Sequence, residues 1–223
     1  EVFDATPANI EKRTKRSELP SGLKIAMLSK GTRGKAVRAR MTLRFGTEAD
    51  IKGKTTSLEL VPTMLMRGTS KHTYQQIRDE FDRLKARVGI FAGEPGTVTA
   101  SIETTRENLV PTLQLVAEIL RDPVFPADEF DVLKKEQLAQ YEQQLSDPQA
   151  LAFNNVMRRL SPWPADDVRY QPTVAESIER LKAVTLDQVK DAHKKLYGAS
   201  TGEFAAVGDF DESAVNNTLQ DLL

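Results

Sequence analysis

Two histidines, His72 and His193, are the only imidazoles among 223 residues, and there is no cysteine. A protein zinc site needs three converging side-chain ligands, so a three-histidine site within this one chain is excluded. The absence of cysteine also removes disulfides, thiolate metal sites and a cysteine nucleophile. The metal constellation that remains is Glu59 with His72 and a neighbouring group. His193 falls with Val189, Ala192 and Leu196 at helical spacing, which reads as a histidine in or beside the core with one ring nitrogen satisfied. His72 immediately precedes Thr73, where a ring packs on the first turn of a helix. Arginine offers a second chemistry. Arg38, Arg40 and Arg44 alternate with Val37, Ala39, Met41, Leu43 and Phe45, so all three project from one face of a strand. Such a row either attracts carboxylates or is a solvated face balanced by acids such as Glu103. No glycine-rich strand-to-helix turn of a nucleotide site occurs.

These groups have to be positioned by strands and helices whose periods are legible. Residues 1–15 read as a linker or extended arm, and 16–223 as a single α+β domain. Leu19-Pro20-Ser21-Gly22-Leu23 places a turn between two short strands. After the arginine strand, Leu58, Val61 and Leu65 repeat at helical spacing, and Thr73 with Gln76 opens a second helix over about 74–87. A connection follows from Gly89 to Gly96, then a strand in which Val98, Ala100 and Ile102 alternate with polar residues. Leu109 to Leu120 is a helix ending before Pro123. Asp128 starts a long helix to about Leu145. Another helix beyond Asp147-Pro148 carries Leu151, Val156, Met157 and Leu160 as its apolar stripe. Trp163 to Pro172 is a connection, Thr185 and Gln188 cap a helix, Phe204 to Val207 is a strand, and a short helix follows Asp211. The sum is an antiparallel-rich sheet with helices on one face.

Thirty-one basic side chains face thirty-two acidic ones, so no overall field favours nucleic acid or an anionic membrane. No apolar run is long enough to span a bilayer. A start at Glu1 without methionine reads as a piece excised or processed from a longer chain.

The stretch Gly53 to Thr73 carries a family resemblance. Met64-Leu65-Met66-Arg67-Gly68-Thr69 resembles the segment that follows the zinc-binding helix of insulinase- and pitrilysin-like peptidases. Arg121-Asp122-Pro123-Val124-Phe125 and Val207-Gly208-Asp209-Phe210-Asp211 also resemble that family, from about Leu19 to Asp211. In the family an inverted H-x-x-E-H motif supplies two zinc ligands and the base that activates water. The matching positions here are Glu59, Pro62 and Thr63, a degenerate motif. Pro62 cannot act as a base, Thr63 is a poor ligand, and proline inside a helix predicts a kink or a broken first half. The family's third ligand, a glutamate, matches a place near Ala139 or Gln140. Glu136 and Glu142 lie close by but off the required direction, as solvated helix carboxylates.

The resemblance implies a metallohydrolase-like domain of the insulinase and mitochondrial processing peptidase type, with no catalytic residue and no metal of its own. Zinc is expected in a partner half, in the same or another chain. This domain then forms chamber wall and peptide-binding surface, with Arg38, Arg40, Arg44, Arg169 and Tyr170 as candidate peptide contacts. The same resemblance implies a periplasmic location, and the isolated domain can self-pair as a homodimer. Two other readings stay open: a protease-derived assembly subunit without activity, and a metalloenzyme built on Glu59 and His72.

Overall fold

The arginine-bearing strand becomes the middle of a six-stranded sheet. The computed structural model describes residues 3–198 and 201–222. The first half of the chain supplies α1 (Pro7–Arg13), β1 (Lys15–Glu18), β2 (Leu23–Ser29), β3 (Ala36–Arg44), α2 (Glu48–Ile51), α3 (Thr55–Leu65), α4 (Tyr74–Arg83), β4 (Arg87–Ala92) and β5 (Thr97–Thr105). The second supplies α5 (Leu109–Arg121), α6 (Ala127–Leu145), α7 (Pro148–Leu160), α8 (Val174–Ala183), α9 (Leu186–Leu196), β6 (Gly202–Gly208) and α10 (Glu212–Leu222). The strands lie in the order β1-β2-β6-β3-β5-β4. Only β2 and β6 run parallel; the other neighbours are antiparallel. The fold is therefore α+β with a mixed, mostly antiparallel sheet.

Period-two alternation decides which face is buried. Val37, Ala39, Met41 and Leu43 of β3 are all buried, and Met41 pairs with Phe204 on one side and Ala100 on the other. Those side chains meet Leu65, Ile77, Leu113 and Ile119 from the helices in one core. Each such side chain withdrawn from water contributes about 1.5–3 kcal/mol. On the opposite face Arg38, Arg40 and Arg44 are all exposed.

Two of the three segments that resemble the peptidase family are knitted together by backbone. Gly68 accepts from the Val124 amide (3.2 Å), Ser70 N–H donates to Asp122 (3.0 Å), and Thr69 bridges Pro123. Buried Thr69 donates its hydroxyl to Glu118 of α5 and accepts the His72 amide at 2.9 Å. Arg67, with 14% of its side chain exposed, reaches Glu129 of α6 at 2.7 Å. The third segment ends β6. Asp209 pairs with Arg106 (2.6 Å), Phe210 is buried, and Asp211 accepts the Ala214 amide at the start of α10 (2.9 Å).

Several expectations are corrected. Residues 7–13, expected as an extended arm, form α1: Pro7 sits in its first turn, where the missing amide costs nothing. The helix α3 is not broken at Pro62 but runs from Thr55 to Leu65. Loss of one hydrogen bond there is offset by burial of Leu58, Leu60, Val61, Met64 and Leu65. The second helix stops at Arg83 rather than about 87, because Lys85 takes a left-handed φ of 49° and Arg87 already belongs to β4. The connection expected from Gly89 to Gly96 is largely that strand, paired along its length with β5. Also not anticipated are the single-turn α2 and α8, the latter opened by a Thr173–Glu176 capping box. The stripe of α7 is not buried: Val156, Met157 and Leu160 are 52%, 37% and 72% exposed, and the helix packs mainly on α6. Glu136 is a solvated helix carboxylate as expected, 62% exposed, with the Arg67 guanidinium 3.5 Å away.

Gly208 explains why its motif carries glycine. Its φ is 137°, and a Cβ there would lie 2.4 Å from the Ala36 carbonyl oxygen and 2.8 Å from the Val37 Cα. Gly208→Ala is expected to cost about 3 kcal/mol or more, since backbone must move in two central strands. Gly31→Ala, with nothing within 4 Å, should stay within about 0.5 kcal/mol. Urea unfolding of the two variants side by side checks both.

Candidate functional site

Glu59 lies on α3, where helical spacing turns it away from the buried stripe of Leu58, Val61 and Leu65. It lines a recess of about 140 Å³ whose other walls include Thr55 and Thr56 of α3, Gln137 and Tyr141 of α6, Tyr170, and Arg180 of α8. The facing wall is thus the part of α6 on either side of Ala139 and Gln140. Of the degenerate motif, only Glu59 reaches this space. Pro62 is buried, and Thr63, one turn on, is half-buried and does not line the recess.

The electrostatics of the recess do not fit zinc. Arg180 shares the walls, and its positive charge acts on the Glu59 carboxylate, opposing a second cation there. No group of three His, Asp or Glu that could hold a metal ion forms among the described residues. His72 and Glu59 share no partner. The His72 ring places Nδ1 2.7 Å from a Glu118 oxygen, tied into the Thr69 turn. Although burial opposes it, hydrogen bonds from Thr69 and His72 leave the Glu118 carboxyl below its ordinary pKa. His193 puts Nε2 2.8 Å from the Leu120 carbonyl, between Phe125 and Tyr197. Burial lowers its pKa, partly opposed by that hydrogen bond, so it is a histidine of the core edge.

The arginine candidates separate into two places. Arg38 and Arg40 border a trough of about 350 Å³ on the uncovered sheet face, with Ala26, Leu28, Ala205 and Val207. Arg38 is 3.0 Å from Glu103, and Arg44 is 3.2 Å from Glu203. Arg40 forms no ion pair among the described residues, and its cross-strand neighbours are small, Ser101 and Ala205. Arg44 instead meets Arg169 in a cleft of about 780 Å³ at the end of the sheet, with Trp163, Glu48 and Glu94. The Arg169 guanidinium lies 3.4 Å from the Trp163 ring centre and holds Asp167 through two bonds of 2.7 and 2.8 Å. Those bonds lower the Asp167 carboxyl to about 2.

Tyr170, next in sequence to Arg169, lines the Glu59 recess instead of the cleft. Its hydroxyl donates to Glu176 at 3.0 Å. The residues that sequence reasoning missed are Arg180 and Tyr141. Both lie on helix faces whose only signal is the neighbour they meet in space.

Glu59 is open to solvent at the recess mouth, yet crowding by the surrounding walls raises its carboxyl above the ordinary value, with the Arg180 charge opposing; burial, and after it the nearby Glu59 charge, raise the Tyr141 phenol. A folded-state value above the unfolded one means that the native state binds the proton more tightly. Glu59 therefore favours folding in its protonated form, and that advantage is lost as pH rises through its folded value. Glu59→Gln is expected to raise the thermal midpoint by about 1–2 °C at pH 7–8, after allowance for solvent at the recess mouth. The difference should close as pH falls below the ordinary carboxylate value of 4.5. Paired melts across that range test the sign, and a gain independent of pH would contradict it.

No protein-family model matches the sequence, and no curated protein does. Solved structures match it over nearly all its length. The peptidase M16 inactive domain from Pseudomonas fluorescens aligns with a TM-score of 0.78 at 25% identity, covering 94% of this chain and 50% of that one. A protease from Helicobacter pylori gives 0.78 at 14% identity, again over 94% and 50%. A protein described as M16-like, from Alicyclobacillus acidocaldarius, gives 0.72 at 14% identity over 93% and 48%. The last two bear on fold alone, and the chain spans about half the length of the structures it matches. In fold, and over nearly its whole length, this chain is similar to a peptidase M16 inactive domain, as its resemblance to a non-catalytic insulinase-like domain implies.

Proposed function

We propose that this chain is a non-catalytic domain of a zinc-dependent peptidase, forming chamber wall and peptide-binding surface opposite a zinc-bearing half. The observation that carries this reading is the uncovered sheet face. A sheet in this fold ordinarily hides one face and wets the other. Here the wet face holds a trough with apolar sides and one arginine, Arg40, left without an acidic partner among the described residues. Extended peptide lying across such a trough gains apolar contact from Leu28 and Val207 and a charge-assisted hydrogen bond from Arg40 to a carboxylate. The cleft with Arg44 and Arg169 extends the cationic surface at one end of the sheet. Zinc belongs to the partner half in this reading, because the recess around Glu59 is unsuited to it.

A partner half is supported by the twofold length of similar structures and by α7. An exposed apolar face bordered by polar residues marks an interaction surface. Phe153, Val156, Met157 and Leu160 form such a face. The same face favours the second reading, a protease-derived structural or assembly subunit, because docking needs no chemistry. It would also account for self-pairing of the isolated domain.

Zinc analysis and a peptide-cleavage assay separate these readings. The chain alone is expected to bind no stoichiometric zinc and to cleave nothing, while activity should appear when the zinc-bearing half is added. Arg40→Glu should then raise KM for acidic peptides by about three- to tenfold with kcat little changed, since it removes binding remote from the reacting bond. Zinc and cleavage by this chain alone would overturn the proposal. Silence in both arms would favour the scaffold.

A further inference from the structure

We propose that the recess between α3, α6 and α8 binds a small free amino acid, with Glu59 receiving its ammonium group and Arg180 its carboxylate. This does not depend on the chamber-wall reading, which concerns the sheet face. The inference starts from two opposite charges left apart. Glu59 and Arg180 line the same cavity of about 140 Å³. Neither makes a side-chain hydrogen bond or ion pair among the described residues, with each other or with anything else; only the longer-range field of Arg180 acts on Glu59.

On the side of Tyr170 the neighbours are already satisfied. Tyr170 gives its hydroxyl to Glu176, the Glu176 carboxylate also closes the Thr173 cap at 2.7 Å, and Arg158 approaches the Tyr170 oxygen at 3.4 Å. Arg180 is held over the Tyr170 ring at 5.2 Å, so the guanidinium is oriented while its donors stay free. The Tyr170 side of the recess is therefore paired within itself, while Glu59, open to solvent at the mouth, and half-buried Arg180 remain for something else.

Charge complementarity selects the ligand class. A simple carboxylate is repelled by Glu59, and a simple amine or metal cation by Arg180. A zwitterion offers each charge its opposite, with two charge-assisted contacts fixing its orientation. The volume narrows the class further. A cavity of about 150 Å³ admits a benzene-sized guest, so 140 Å³ suits glycine, alanine or serine rather than a large side chain. Thr56 and Gln137, on opposing walls, supply neutral hydrogen-bonding groups for the remaining oxygen and ammonium protons.

The experiment is calorimetric titration of the full chain with L-alanine, N-acetyl-L-alanine and L-alanine methyl ester. Saturable binding of alanine is expected, with each single-charge analogue about tenfold weaker or worse. Glu59→Gln and Arg180→Gln should each weaken alanine by a similar factor. Lys195→Gln, in an exposed pair with Asp191, should change nothing. Far-UV circular dichroism of the Glu59→Gln and Arg180→Gln chains separates loss of binding from loss of fold. Absence of saturable alanine binding to the parent chain overturns the proposal. So does equal binding of the single-charge analogues, or binding unaffected by either recess variant.

Discussion

The structure depends on one short crossing of backbone, where Gly68 and Thr69 lie against Pro123 and Val124. It joins the end of α3 to the turn between α5 and α6, and so fixes how three helices sit over the sheet. Thr69 is buried, and a buried hydroxyl must find partners or lose about 1–3 kcal/mol. It donates to Glu118 and accepts the Lys71 and His72 amides. Arg67, one residue before the crossing, binds Glu129 and so ties α6 to the same place. Replacing any member leaves a half-buried charge or donor without its partner. The position of α6 relative to α3, and with it the shape of the Glu59 recess, follows from this junction.

Much of the fold was legible because it rests on local periods. The alternation in β3 and β5 and the capping boxes at Thr73 and Thr185 are each set within a few residues. What stayed hidden was set by distant partners. β4 looked like a connection because Gly89 weakens its pattern, and only pairing with β5 makes it a strand. α7 carries a helix-period stripe indistinguishable from a buried one, and exposure follows solely from where the chain leaves it. Pro62 argued for a kink, yet packing around Val61 and Met64 outweighs one lost hydrogen bond. For the candidate site, Glu59 was found by its place on α3. Arg180 and Tyr141 could not be, since their meeting requires α6 and α8 to close over α3.

The recess sets opposite charges against each other on separate helices. Two helices face each other across a polar space, with a carboxylate on one of them. A cation-repelling charge, Arg180, comes from a third helix and limits what the space can hold. The Glu59 carboxylate pays for this in stability, as partly desolvated charges in binding sites commonly do. The arginines of the open sheet face and of the cleft at its end differ from it in kind. Arg38, Arg44 and Arg169 are each held by an acid, which orients them and weakens their field, whereas Arg40 is not.

The insertion of β6 between β2 and β3 has a kinetic meaning. β2 and β3 follow each other closely in the chain but do not pair; each waits for a strand separated from them by every helix from α2 to α9. During synthesis the two early strands therefore emerge with open edges, and the β3–β5 and β4–β5 ladders form well before the sheet can be closed. Such late, sequence-distant pairing slows folding and exposes apolar edge to other chains. Nascent chains halted before Gly202 would hold α1 to α9 and two separate ladders, β1–β2 and β3–β5–β4, whose facing edges stay open to chaperones until the central strand arrives.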